Sequence, residues 1–364
     1  MRRMKRDPEK FGVLELFSAL ARVNNLKLDS DQDLIQFGKI TLNSLTTTRR
    51  ADTILHGKRV EAMFAYIAGA LGRCRLIKTE DGGDLFVSGL PMQAPDYRLV
   101  LHDGTVMLVE VKNFHFTSFD ECFSINENYL ETLERYAEAQ GLNLKVAVYF
   151  SRIKMWCLLS RDAFVRTGKC FTITVLSAIA KNEMYTLGDV SIATLPQLSL
   201  ELMGDSDNAN EIDINGDASV TFKTAKLFCD GNELLDELDQ RIAFYLMKYG
   251  RWRQSCQPII DNNRLLGLLF TSCPDEVPSG QPFAIVAEMS SMISQAYSEY
   301  TVANGKPIAI DVIGDPDEFS LCIPLNFNST LLPLWRFVLH PNPNFIDTYF
   351  EPLGPVGTSS KTRT

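Results

Sequence analysis

No stretch of this chain approaches the roughly 18 consecutive apolar residues that a membrane-spanning helix needs, so no membrane span is expected. The first twenty residues, MRRMKRDPEKFGVLELFSAL, are basic and then apolar, but Asp7, Glu9 and Glu15 interrupt them. Their apolar positions recur at helical spacing, which favours an amphipathic helix over a secretion signal. The eight cysteines (74, 122, 157, 170, 229, 256, 273 and 322) include no Cys-x-x-Cys pair. That spacing argues against a disulfide framework or a zinc site and for reduced thiols in a cytoplasmic protein. A G-x-x-x-x-G-K-[ST] phosphate loop is absent, which weakens a nucleotide-handling or phosphotransfer enzyme. His56, His102, His115 and His340 lack partners at metal-ligand spacing and are read as structural or surface groups.

Excess positive charge is missing as well, but unevenly. The net charge is −9, yet residues 1–205 hold 25 Lys+Arg and 25 Asp+Glu, whereas residues 206–364 hold 11 and 20. Polyanion binding depends on a local basic surface, so only the first part is a plausible nucleic-acid binder. With 45% apolar and 22% charged residues the composition is that of an ordinary globular protein. A length of 364 residues exceeds one comfortable core, so two domains are expected. The sharpest change in composition is MGDSDNANEIDINGDAS, 203–219, dense in Asp, Asn and Gly. The expected organisation is an N-terminal helical segment (1–56), an α/β domain (57–203), a linker (204–218), an acidic α+β domain (219–350) and a disordered tail (351–364).

Hydrophobic periodicity predicts helices over 8–24, 29–44, 57–72 and 125–142, and strands near 73–78, 84–90, 96–101, 106–112, 144–151 and 154–160. Beyond the linker it predicts a strand over 219–229, a helix over 231–249 and a strand over 264–271. A strand and then a helix follow over 282–303, with further strands over 307–313 and 319–325. Helices alternating with strands imply a mixed sheet flanked by helices.

The stretch APDYRLVLHDGTVMLVEVKN, 94–113, reads as two strands joined by a turn, with an acid at its start and Glu-Val-Lys at its end. Side chains alternate across a strand, so Glu110 and Lys112 share a face. With a two-residue turn at Asp103-Gly104, Tyr97 opposes Glu110 and Asp96 points away. With a three-residue turn, His102-Asp103-Gly104, Asp96 opposes Glu110 and the carboxylates converge. Glycine suits the left-handed position of the longer turn, so the odd register is predicted. Like charges on one face are destabilising unless a cation lies between them.

Pro95-Asp96 followed by Glu110-Val111-Lys112 after a short hairpin resembles the PD-(D/E)xK nuclease superfamily, which has the restriction-endonuclease-like fold. The resemblance covers about residues 57–160: GKRVEAMF supplies an acid, Glu61, on the preceding helix, and 125–151 supply the following helix and strand. It implies a Mg²⁺-dependent endo- or exonuclease, with Mn²⁺ able to substitute. Asp96 and Glu110 would hold the ion with the Val111 carbonyl. Lys112 would orient water or stabilise charge, and Glu61 would bind a second ion or orient the first. It also implies DNA as substrate, more than RNA, and a homo-oligomer, in roles such as defence against phage and other foreign DNA, restriction or repair.

Three other stretches have plainer readings. TEDGGDLF, 79–86, lacks the spacing of a calcium loop and is read as a turn. RRMKRDPEK, 2–10, is read as a solvated end. The aromatics of KYGRWRQ, 248–254, sit in the acidic part and suit packing or a protein interface, and this part is read as serving assembly, regulation or partner binding. The rival reading is a non-catalytic scaffold or recognition subunit that keeps the nuclease fold with a vestigial site.

Overall fold

The computed structural model describes residues 1–4, 7–205, 211–277, 279–316, 323–324 and 326–347. The chain begins with three helices, α1 (Val13–Asn24), α2 (Asp31–Thr48) and α3 (Asp52–Ala70). Strands β1 (Cys74–Thr79), β2 (Tyr97–Leu101), β3 (Val106–Phe114) and β4 (Cys122–Asn126) lead to α4 (Glu127–Ala139). Then come β5 (Asn143–Phe150), β6 (Met155–Leu159), β7 (Val165–Thr167), β8 (Cys170–Thr174) and α5 (Val175–Ala180). The remainder holds β9 (Ser191–Thr194), β10 (Leu198–Gly204), β11 (Phe222–Cys229), β12 (Asn232–Glu233), α6 (Glu237–Tyr249), β13 (Arg253–Asp261) and β14 (Arg264–Cys273). It closes with β15 (Ala284–Glu288), α7 (Met289–Thr301), a small hairpin β16 (Val302–Ala303) and β17 (Lys306–Pro307), and β18 (Leu334–Phe337).

The first sheet has the order β1-β2-β3-β5-β6, antiparallel except for the β3–β5 pair. It is a mixed sheet flanked by helices, as the periodicity implies. Alternation along β5 and β6 feeds two cores. Ala147, Tyr149, Trp156 and Leu158 face Phe64 and Ile67 of α3, whereas Val146, Val148, Phe150, Cys157 and Leu159 face Leu130 of α4 and the small sheet β4-β8-β7. A second, antiparallel sheet runs β12-β11-β10-β14-β13, and a third runs β15-β9-β18.

Residues on both sides of the expected 204–218 linker share these layers. Ile293 and Tyr297 of α7, with Val312, complete the core under the first sheet, and Trp156 donates its indole N–H to Ser294 Oγ at 2.9 Å. Conversely β10, upstream of the linker, pairs with β11 and β14.

Several expected elements differ. Residues 84–90 form no strand: Glu80 N–H donates to the Asp96 carbonyl at 2.8 Å, so β1 pairs directly with β2 and 81–95 loop out between them. Gly82, Gly83, Gly89 and Pro91 break that stretch, and Leu85 and Phe86 are exposed. The helix expected from 231 starts only at Glu237, because Asp236 accepts the N–H groups of Leu238 and Asp239 as its N-cap. The strand expected over 307–313 shrinks to the β17 pair. The tail 351–364 and most of the strand expected at 319–325 lie outside the described residues. None of the seven described cysteines forms a disulfide. Among the described residues no helix is long and apolar enough to cross a membrane.

Candidate metal and phosphate site

The site forms where the β2–β3 ladder runs out. The pairs Tyr97–Val109, Arg98–Leu108, Leu99–Met107 and Val100–Val106 fix the odd register. Leu101 N–H donates to the Thr105 carbonyl at 2.8 Å and closes a three-residue turn, His102-Asp103-Gly104, with Gly104 at φ +90°. Continuing that register sets Asp96 opposite Glu110 and Pro95 opposite Val111. Proline has no N–H for the ladder. The Val111 N–H instead donates to Asp96 Oδ2 at 2.7 Å. Strand β3 remains paired with β5 on its other edge as far as Phe114, so the open edge beside Asp96 is held rigidly.

Glu110 and Lys112 project toward α4. Glu110 is only 3% exposed. Its Oε1 accepts a hydrogen bond from Lys112 Nζ and another, at 2.5 Å, from the Tyr129 hydroxyl. Lys112 Nζ also lies 3.2 Å from that hydroxyl and 4.9 Å from the ring centroid. Tyr129 reaches the site because Asn126 caps α4 by accepting its N–H at 3.3 Å, fixing the first turn. Burial disfavours the Lys112 charge, but the Glu110 carboxylate more than offsets this and raises its pKa. The Tyr129 hydroxyl is raised by burial and then by the charge of Glu110.

Asp96 is 8% exposed. Burial, followed by the charge of Glu110, pushes its pKa up to about 7; Glu61 adds to the rise, whereas the Val111 N–H and Lys112 oppose it. The carboxylates of Glu61 (on α3), Asp81 and Asp96 offer oxygens that all lie within 4.8 Å of one another. Lys58 borders this group, 2.5 Å from Glu61 and 3.5 Å from Asp81. The Tyr97 hydroxyl donates to the Glu61 carbonyl at 3.0 Å and ties α3 to β2. Glu80, next to Asp81, is anchored by Arg98 at 2.6 Å and by the Tyr136 hydroxyl at 2.8 Å.

The fold thus gathers Asp96, Glu110, Lys112, Val111 and Glu61 at one sheet end. The tight carboxylate group, however, contains Asp81 where the sequence reading put Glu110. TEDGGDLF does turn, but the turn delivers an acid to the site. Leu133 of α4 faces the core, whereas the hydroxyls of Tyr129 and Tyr136, on the same helix, serve carboxylates. The signal for Lys58 was its i,i+3 spacing to Glu61. For Asp81 and Tyr129 the sequence carried none, since both act across the chain.

A cavity of about 660 Å³ runs along β1 and α3, with Arg2, Arg3, Arg75, Lys78 and Tyr97 in its lining but none of Glu61, Asp81, Asp96, Glu110 or Lys112. Arg3 there pairs with Asp311 at 2.7 Å.

No protein-family model and no curated protein sequence matches the chain. Among solved structures it is similar in part to Hjc, a Holliday junction resolvase from the archaeal hyperthermophile Archaeoglobus fulgidus. The identity is 22%, covering 26% of this chain and 78% of that one, at a TM-score of 0.21.

Proposed function

We propose that this chain is a metal-dependent nuclease that hydrolyses phosphodiester bonds, with DNA the preferred substrate. The observation that carries the reading is the end of the β2–β3 ladder. Asp96 is bonded to the Val111 N–H at 2.7 Å, Glu110 and Lys112 stand on the same strand, and Glu61 and Asp81 bring oxygens within 4.8 Å of Asp96. Such a donor set, all hard oxygen, fits Mg²⁺, with Mn²⁺ as a substitute. Burial and then the charges of Glu110 and Glu61 raise the Asp96 pKa, and a divalent cation would offset both. Asp96, Asp81 and Glu61 would hold the ion, with Glu110 and the Val111 carbonyl as further oxygen donors. When bound, the ion polarises the phosphate and lowers the pKa of an attacking water.

The remaining work falls to the chain itself. Lys112, kept charged by Glu110, donates to the attacking water or to the developing negative charge. Tyr129 fixes both partners of that pair, and Lys58 fixes Glu61. Lys78, which lines both that cavity and the pocket holding Asp81, would with Arg75 offer the phosphate backbone positive charge. The acidic region 219–350 would serve a protein partner, and the protein would act as a homo-oligomer in defence, restriction or repair.

A specific observation favours a second reading, the vestigial scaffold: Glu110 is already satisfied by Lys112 and Tyr129. Incubating supercoiled plasmid with Mg²⁺ or Mn²⁺ separates the two. Cutting by wild type that Lys112→Ala abolishes supports the nuclease. No cutting, together with no calorimetric Mn²⁺ binding that Asp96→Asn removes, supports the scaffold.

A further inference from the structure

Helix α2, DQDLIQFGKITLNSLTTT, buries none of its side chains. Its four threonines, two isoleucines, Ser44, Asn43 and Gly38 are poor helix formers, so the helix draws little stability from its own sequence. On one side Phe37 meets Phe17 of α1 edge-on at 5.3 Å. On the opposite side Ile35, Leu42 and Leu45 stand 60%, 66% and 64% exposed. With Gly38 they occupy positions 35, 38, 42 and 45, the three-four-three spacing of a coiled-coil seam. A Cβ at Gly38 would meet nothing within 4 Å. The seam is open.

We propose that a second copy of this chain covers it, α2 packing antiparallel on α2 about a two-fold axis. The pattern is self-complementary only in that direction. An antiparallel register centred near residue 40 sets Gly38 against Leu42 of the other copy and Ile35 against its Leu45, each pair occurring twice. A small residue then faces a large one, which lets the helices approach and fills the hole. The same register places Asp31, in the first turn, opposite Arg49, at the C-cap, at both ends of the contact. Parallel pairing would instead set glycine on glycine, aspartate on aspartate and arginine on arginine. Both charged groups are exposed. The dimer supplies the burial that α2 lacks within one copy, and the inference stands whether or not the protein cuts DNA.

Sedimentation velocity of the full chain at low salt, from micromolar to hundred-micromolar concentration, tests this. The wild type is expected at twice 40.9 kDa and Leu42→Asp as a monomer. Because α2 alone is a weak helix, a charge exchange provides the second measure. Asp31→Arg is expected to weaken the dimer about tenfold, and adding Arg49→Asp to restore it. A monomeric wild type, a dimer that survives Leu42→Asp, or a double variant no tighter than Asp31→Arg alone would each overturn the proposal.

Discussion

Asp189, two residues before β9, holds the start of α7 from a distant part of the chain, and its removal can be measured cleanly. Its buried carboxylate accepts the Ser290 backbone N–H at 2.9 Å and the Ser290 hydroxyl at 2.5 Å, capping α7 from outside the helix. Burial is the largest influence and raises its pKa to about 6; the two hydrogen bonds from Ser290 oppose the rise and Glu288 adds to it. A carboxyl group whose folded pKa exceeds its unfolded value of 3.8 holds its proton more tightly in the folded protein. Its contribution to stability is therefore complete below the unfolded value and is lost as the pH rises through the folded one. A gap of about 2 pH units corresponds to about 3 kcal/mol. Asp189→Asn keeps an oxygen for the Ser290 N–H but carries no charge. Variant stability minus wild-type stability should thus rise by about 3 kcal/mol from about pH 4 to about pH 8, read by urea unfolding followed through tryptophan fluorescence. A difference that stays flat, or that moves toward the wild type as pH rises, would refute the account of this group as a cap whose charge is disfavoured by burial.

Four further outcomes follow from the same contacts. Saturating Mn²⁺ at about 100 times its dissociation constant should stabilise the wild type by about 2.7 kcal/mol in a thermal melt, and both Asp96→Asn and Asp81→Asn should remove that gain. Tyr129→Phe deletes the hydroxyl bonded to Glu110 and should cost about 1–3 kcal/mol in chemical denaturation, since a buried carboxylate loses a donor. Ala at Gly188 would place a Cβ 2.5 Å from the Leu71 carbonyl at φ +102°, so Gly188→Ala should lower stability by about 2 kcal/mol or more in the same assay. Removing residues 206–364 takes Ile293 and Tyr297 from the core around Phe64 and Trp156, and the truncated chain should show no cooperative unfolding transition.

The sequence on its own determined what depends on neighbours in the chain. The apolar run in LKVAVYFS gave β5, the helical spacing over 125–142 gave α4, and Gly104 in a three-residue turn gave the register that opposes Asp96 to Glu110. Those are local matters of periodicity, capping and left-handed backbone, so they leave a trace in a short window. Tertiary structure alone decided which groups complete the site and which segments share a core. Asp81 reaches Asp96 only because β1 closes directly onto β2 and throws 81–95 outward, which a strand-like LFV run concealed. Tyr129 turns to Glu110 rather than the core because of how α4 lies across β3. Ser294 and Tyr297 enter the first core from more than a hundred residues downstream, past a linker that looked like a boundary. Packing partners distant along the chain impose no spacing on either sequence segment, so their meeting is set by the free energy of the whole fold and not by any stretch of it.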